Sequence, residues 1–248
     1  MSQDRDDQSI GFLMPWQSRL FSGAVMAELG FQVNVHKHTV SNATLKKFAK
    51  FAVANISDVM NRTNGTVDLR PFHKGGKILG RALTVKTAPG DNLMVHKAIN
   101  MAAPGDVIVV DAGGAQRNAI IGEIMSSLAE KKKIAGFVID GPIRDVDALS
   151  KGKFPVFARG ISHRGPYKEG PGEINVTVSI DGMIVHPGDI IVGDQDGLLA
   201  IRPEIADELA KLVAAVEKKE KEILAQIAKG TLDRSWVDKI LQAKGVLK

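Results

Sequence analysis

The run Val107–Val110 is four consecutive β-branched residues entered through the turn Pro104-Gly105-Asp106. An apolar stretch without polar alternation suits a strand buried on both faces, and such a strand needs layers packed above and below it. The run leads into Asp111–Asp147, DAGGAQRNAIIGEIMSSLAEKKKIAGFVIDGPIRDVD. That stretch reads as a strand end, a glycine loop, a helix, a second strand, and a turn that delivers Arg144 and Asp145 side by side. The rest of the chain has to close around this unit.

Upstream, Leu45, Phe48, Ala52, Ile56 and Val59 recur at helical spacing behind Ser41 and Asn42, either of which can cap the first turn. This helix or helix pair ends by Asn64-Gly65. Lys77 to Thr87 reads as a strand, and Pro89-Gly90-Asp91 turns the chain into a helix from about Asn92 to Ala102 that contains His96. Downstream, Phe154 to Ala158 is a short strand, and the segment GISHRGPYKEGPGE has the composition of a ligand-bearing loop. Ile174 to Ile201 alternates short strands with turns, including a hairpin turn at Asp181-Gly182, in the pattern of an antiparallel meander. The phrase PGDVIVVDAGG returns as PGDIIVGDQDG at 187 to 197, a local repeat of turn chemistry. Pro203 opens a long helix to about Lys229, with Ile205, Leu209, Leu212, Val213, Val216, Ile223 and Ile227 on one side, and a last amphipathic helix covers about Ser235 to Ala243. Central parallel βαβ units, a β meander and terminal helices predict a single layered α/β domain over residues 41–248. Residues 1–40 lack a period and read as an extension, either a flexible leader or an oligomer arm.

A chain of 248 residues, 44% hydrophobic, can bury one substantial core. Its net charge of +5 is not gathered into an arm or stripe, and the densest run, Lys131 to Lys133, falls at a helix end where cations complement the helix dipole. The excess therefore reads as a solvated surface that draws in anionic substrates; nucleic acid is not indicated. The sequence has no cysteine, which excludes disulfides, a thiolate nucleophile and cysteine-ligated metal, and fits a reducing, cytoplasmic setting. The apolar segment Ile10 to Phe31 is interrupted by Pro15, Arg19 and Glu28 behind an acidic leader, so it is not a membrane span.

Glu123 and Asp145 are the candidate metal carboxylates. Hard oxygen ligands favour Mg²⁺ or Mn²⁺, and Mg²⁺ needs only one or two protein carboxylates because it keeps several waters. The plainer alternatives are that Asp145 caps the helix starting near Val146 and that Glu123 is a surface residue. Arg144 is the candidate carboxylate clamp, with a salt bridge to Asp147 or a nearby Glu as its alternative. Gly113-Gly114 serves close backbone approach or a tight turn, since neither a dinucleotide fingerprint nor a P-loop is present. His96 is the histidine to watch, and Lys168 is either an imine-forming or electrostatic helper or a solvated surface lysine.

Together, GDNLMVHKAI at 90 to 99, PGDVIVVDAGG at 104 to 114, GEIM at 122 to 125 and VIDGPIRDVD at 138 to 147 resemble the family that holds 4-hydroxy-4-methyl-2-oxoglutarate/4-carboxy-4-hydroxy-2-oxoadipate aldolases and the regulator of ribonuclease E activity A. The likeness covers roughly residues 42 to 245. The aldolase branch carries an acidic residue, twenty intervening positions and then Arg-Asp, which is Glu123 followed by Arg144-Asp145 here. The resemblance implies a divalent-metal-dependent (class II) pyruvate aldolase with oxaloacetate decarboxylation as a side reaction. By it, Asp145 would be the direct Mg²⁺ or Mn²⁺ ligand, Glu123 would hold metal-bound water, and Arg144 would bind the substrate's carboxylate and carbonyl end. The backbone N–H groups of Gly122, Glu123, Ile124 and Met125 would complete an anion cradle. It also implies a sandwich resembling the swivelling-domain (phosphohistidine-domain-like) fold, assembled as a homotrimer or homohexamer, with Glu220 of the long helix reaching a neighbour's site through water. The rival reading is a non-catalytic regulator that binds ribonuclease E. Methyl transfer, a name attached to some such sequences, lacks a glycine-rich S-adenosylmethionine loop after the first predicted strand.

Overall fold

The computed structural model describes residues 29–37 and 39–247, so most of the extension expected as a flexible leader or oligomer arm lies outside the described residues. A short strand β1 (Phe31–Val33) precedes helices α1 (Asn42–Phe48) and α2 (Val53–Val59) and the two-residue β2 (Arg70–Pro71). An alternating unit follows: β3 (Ile78–Thr87), α3 (Leu93–Met101), β4 (Asp106–Asp111), α4 (Glu123–Lys131), β5 (Gly136–Ile143), α5 (Val146–Leu149) and β6 (Val156–Ile161). Then come β7 (Gly172–Ile174), β8 (Val178–Ile180), β9 (Met183–Val185), β10 (Ile190–Asp194) and β11 (Gly197–Ile201), a 3₁₀ turn, α6 (Ala206–Lys229) and α7 (Ser235–Ala243).

Strands β3, β4, β5 and β6 lie side by side and parallel. As the unbroken apolar run requires, Val107 to Val110 are fully buried in β4. The outer edge of β3 is shared between two antiparallel partners: its first half pairs with β10 and its last three residues pair with β7. Helices α3 and α4 close one face of the sheet over Ile108, Val110 and Ile139. On the other face the β8–β9 hairpin packs over Val107, Val109 and Val138, while α1, α2 and α6 cover β10 and β11. Ser41 is the α1 cap, its hydroxyl accepting the Thr44 N–H at 3.1 Å.

The repeated Pro-Gly-Asp phrase has one physical use. Asp106 Oδ2 accepts the N–H of Ala103 at 2.9 Å, and Asp189 Oδ2 accepts that of His186 at 2.8 Å, so each buried carboxylate staples the turn that feeds β4 or β10. A second staple holds the hairpin to the sheet. Arg159 of β6 donates from Nε to Asp140 Oδ1 at 2.6 Å, from Nη1 to Asp68 at 2.9 Å and from Nη2 to Asp181 at 2.9 Å. Asp181 sits in the β8–β9 turn, and its other oxygen accepts the N–H groups of Val67 and Asp68. Burial opposes ionisation of Asp181, but those two backbone donors and the Arg159 guanidinium outweigh it and hold the carboxyl below the usual carboxylate range.

Three sequence expectations are corrected. The sheet takes in residues before 41, because β1 pairs in parallel with β7. The stretch INVTVSI is not one strand: Asn175 takes a left-handed φ of 55° and the chain breaks between β7 and β8, so β8–β9 and β10–β11 are two separate hairpins rather than a continuous meander. Helix α6 buries Ala206, Leu209, Ala210 and Val213 only, and Leu212 and Ile227, expected on its packed side, are half exposed. Burial on α6 is confined to residues 206–213, and further along Glu220 still accepts a hydrogen bond from Asn55 of α2. Among the described residues no helix is long and apolar enough to cross a membrane.

Candidate active site

A cleft of about 180 Å³ opens beyond the C-terminal ends of the four parallel strands. Asn92 follows β3, Ile120 to Gly122 follow β4, Arg144 and Asp145 follow β5, and Pro166 and Lys168 follow β6. Parallel strands all finish on one edge of the sheet, so loops far apart in sequence converge there. His96 on α3 and Ile124 and Met125 on α4 complete the wall.

The loop after β4 runs parallel to the end of β5, with Ile120 N–H bonded to Pro142 O at 2.9 Å and Arg144 N–H to Ile121 O at 3.1 Å. This aligns the start of α4 with the turn carrying Arg144 and Asp145. Asp145 adopts a left-handed φ of 56°, a conformation that Asp tolerates better than most residues. It stands at the N-cap position of α5 without a side-chain cap bond; its Oδ2 instead accepts the N–H of Glu123, at 3.0 Å, at the head of α4. A Cβ at Gly122 would collide with that same Asp145 oxygen, so the approach of carboxylate to helix requires glycine. Arg144 Nε lies 3.7 Å from Asp145 Oδ2, and both side chains are about two-fifths exposed (42% and 41%).

Helix α4 has no side-chain cap at Gly122. Its first N–H goes to Asp145, while those of Ile124 and Met125 have no backbone partner among the described residues. Two unpaired donors at a helix N-terminus, beside a guanidinium, form a cradle for an anion. In the same cleft, burial and then the Lys168 ammonium hold the His96 imidazole below its usual pKa, leaving a neutral ring at neutral pH. Both residues carried plainer readings in the sequence. Their convergence depends on α3 meeting the loop after β6, a contact between residues 72 positions apart that no local pattern announces.

The structure does not bring every candidate together. The side chain of Glu123 is exposed outside the cleft lining, and only its backbone reaches Asp145. Glu220 lies on α6 and accepts a hydrogen bond from Asn55 Nδ2 at 2.7 Å, away from this chain's own cleft. The glycine loop is a tight turn: Gly113 and Gly114 have φ of 69° and 65°, and their N–H groups are taken by Asp111 Oδ1 and Asp140 O, so they offer no donors to a ligand. Among the described residues no three His, Asp or Glu side chains cluster as metal ligands. The donor set at Asp145 is one carboxylate whose Oδ1 accepts no hydrogen bond among those residues, which suits a cation that keeps most of its water, as Mg²⁺ does.

Residues 53–200 match the RraA-like family described as Aldolase/RraA. A Halalkalibacterium halodurans protein whose name proposes a 4-hydroxy-4-methyl-2-oxoglutarate aldolase is 43% identical over 158 residues, 63% of this chain and 75% of that protein. Among solved structures, an uncharacterized protein from Pseudomonas syringae pv. tomato superposes with a TM-score of 0.72 at 27% identity, covering 80% of this chain and 95% of the other. The RNA-processing inhibitor RraA from Thermus thermophilis superposes with a TM-score of 0.56 at 29% identity, covering 60% of this chain and 92% of that one.

Proposed function

The chain belongs to the Aldolase/RraA family, and from that premise we propose that it is a divalent-metal-dependent pyruvate aldolase. Its substrate would be a 4-hydroxy-2-oxo acid of the 4-hydroxy-4-methyl-2-oxoglutarate or 4-carboxy-4-hydroxy-2-oxoadipate type, cleaved to pyruvate and a second oxo acid. Oxaloacetate decarboxylation, which passes through the same pyruvate enolate, would be its side reaction. The observation that carries this reading is the meeting of Arg144, Asp145 and the open N-terminus of α4 in one cleft.

Retro-aldol cleavage transfers the C4 hydroxyl proton to a water acting as base, breaks the C3–C4 bond, leaves the electron pair delocalised onto the C2 oxygen, and ends when the enolate takes a proton from water at C3 to give pyruvate. Arg144 can take the C1 carboxylate and the C2 oxygen, so its charge strengthens its hold as the enolate develops. The N–H groups of Ile124 and Met125 present further donors to the carboxylate. Asp145 would hold Mg²⁺ or Mn²⁺, with the Glu123 carboxylate reaching it through water. When bound, that ion would supply Lewis-acid polarisation of the 2-oxo group. Lys168 serves as an electrostatic partner rather than an imine-forming amine. The layered sheet is read as the swivelling-domain type. The exposed apolar Ile124 and Leu128 beside the cleft support a trimer or hexamer with sites at subunit boundaries, where Glu220 of one subunit would approach its neighbour's metal water.

The second reading, a regulator that binds ribonuclease E, draws on the likeness to the Thermus inhibitor. Pyruvate release from oxaloacetate and from 4-hydroxy-4-methyl-2-oxoglutarate, set against a pull-down with ribonuclease E, separates the two. The aldolase reading expects turnover that the ribonuclease does not alter, whereas pull-down without turnover would overturn it. Gly122→Ala is expected to lower turnover roughly tenfold to a hundredfold with little change in melting temperature. The φ of −152° at Gly122 is extended backbone open to any residue, so the added methyl acts by displacing the Asp145 carboxylate. Unchanged turnover in this variant would show that the carboxylate's place at α4 is immaterial.

A further inference from the structure

We propose that Asn118 is a positioning residue for Arg144: through the carbonyl of Gly165 it holds the loop after β6 against the guanidinium, and so fixes the direction in which Arg144 meets its ligand. The Arg144 side chain runs between two glycines. A Cβ at Gly122, at the head of α4, would lie 3.0 Å from Arg144 Cγ, and a Cβ at Gly165 would lie 3.2 Å from Arg144 Nη1. The stem and the tip of one side chain are each placed where a methyl group would crowd them. Gly122 stands in the same turn that receives Asp145, whereas Gly165 lies in the separate connection between β6 and β7. That loop needs its own tie to stay beside Arg144.

Asn118, half-buried in the loop after β4, supplies the tie. Its Nδ2 donates to Gly165 O at 2.6 Å, and its Cβ stands 3.0 Å from where a Cβ at Gly90 would be. Gly90, with a φ of 80°, belongs to the turn after β3. One amide thus sits among the connections that follow β3, β4 and β6, and reaches the residue against which the Arg144 tip rests. Neighbouring bonds hold the loop as a whole: Ala119 N–H goes to Arg164 O at 2.8 Å, and Ser162 Oγ donates to Arg117 O at 2.6 Å. Neither engages Gly165. Loss of the Asn118 amide therefore leaves the two loops paired and frees the Gly165 carbonyl. Arg144 has little else to orient it, since its side chain is 42% exposed and its approach to Asp145, at 3.7 Å, is no hydrogen bond. A guanidinium clamp works best when its direction is set before the ligand arrives.

This inference rests on the reading of Arg144 as the clamp of an oxo-acid site, and its test keeps the two apart. Oxalate, a dianion shaped like the pyruvate enolate, is the probe, titrated calorimetrically at fixed Mg²⁺. Asn118→Ala and Gly165→Ala are each expected to weaken oxalate binding about threefold to tenfold, the cost of moving a binding group by a fraction of an ångström. Melting temperatures should stay within about 2 °C of the parent. Asn118→Ala keeps the Cβ that packs at Gly90, and in Gly165→Ala the added methyl meets the flexible end of Arg144, so the guanidinium gives way and the backbone does not. In an Arg144→Ala background neither substitution should weaken binding further, because both act through the guanidinium. A merely structural role for the loop would cost the same in both backgrounds. Unchanged oxalate affinity in Asn118→Ala, losses that persist in full without Arg144, or no oxalate binding by the wild-type chain would each overturn the proposal. Pyruvate release measured on the same preparations reports on the aldolase reading: its absence beside an intact coupling of Asn118 to Arg144 sinks that reading and leaves the positioning role standing.

Discussion

Arg159→Ala is expected to lower the unfolding free energy by about 3–5 kcal/mol, the usual cost of removing one partner from a buried ion pair. The Arg159 side chain is 15% exposed, and Asp140, on the adjacent strand, is 7% exposed at its side chain. Removing the guanidinium leaves Asp140 charged and buried and unlocks Asp181 and Asp68, so the β8–β9 hairpin loses its ionic tie to β6 and keeps its apolar packing and the Asp181 N–H bond to Asp140. Chemical denaturation checks this: the midpoint should fall with its slope unchanged. The pH dependence carries a definite sign. Because the Asp181 pKa is lowered on folding, its contribution is present above the ordinary carboxylate pKa and is lost as the pH falls through the folded value. The wild-type advantage over Arg159→Ala should therefore shrink in acid. A variant as stable as the parent at neutral pH would show the cluster to be surface decoration.

The second large effect falls on chemistry. Asp145→Asn is expected to reduce pyruvate release by at least about a hundredfold while leaving the melting temperature nearly unchanged. Asparagine is the informative replacement because it tolerates the left-handed backbone of this position and can still accept the Glu123 N–H, so only the charge is lost. Asp145→Ala should be equally inactive but somewhat less stable, since a Cβ-only side chain is disfavoured at that φ and the head of α4 loses its acceptor. Full activity in either variant would remove Asp145 from the site.

The sequence made the centre of this molecule legible and its edges less so. The run Val107–Val110 and the βαβ unit after it were readable because burial on both faces writes itself as unbroken β-branched residues, and Ser41 was readable because capping is local chemistry. Break points decided by one backbone angle were not. Asn175 sits within an apolar alternation that favours a strand, and its left-handed φ of 55° ends β7 there. The exposed half of α6 reads as amphipathic regardless of whether anything covers it.

The site divides in the same way. Arg144 and Asp145 are adjacent in sequence, and with Glu123 a fixed interval upstream they stood out as a candidate site. The structure shows that the interval aligns the backbone of Glu123 with Asp145, while the Glu123 side chain is exposed outside the cleft lining. Buried Asp91 ties the start of α3 to the loop after β6, His96 and Lys168 line the same cleft from those two segments, and each alone was easier to explain as a turn, packing or surface residue.

Chelation of the purified chain tests the central claim most directly. Pyruvate release from 4-hydroxy-4-methyl-2-oxoglutarate and oxaloacetate is measured after EDTA treatment, then again with Mg²⁺ or Mn²⁺ added back, with Asp145→Asn carried in parallel. The account predicts that EDTA abolishes release, that either ion restores it in the wild-type chain, and that neither restores it in the variant. Release that resists EDTA, or inactivation by borohydride in the presence of substrate, would contradict it and point to an imine at a lysine.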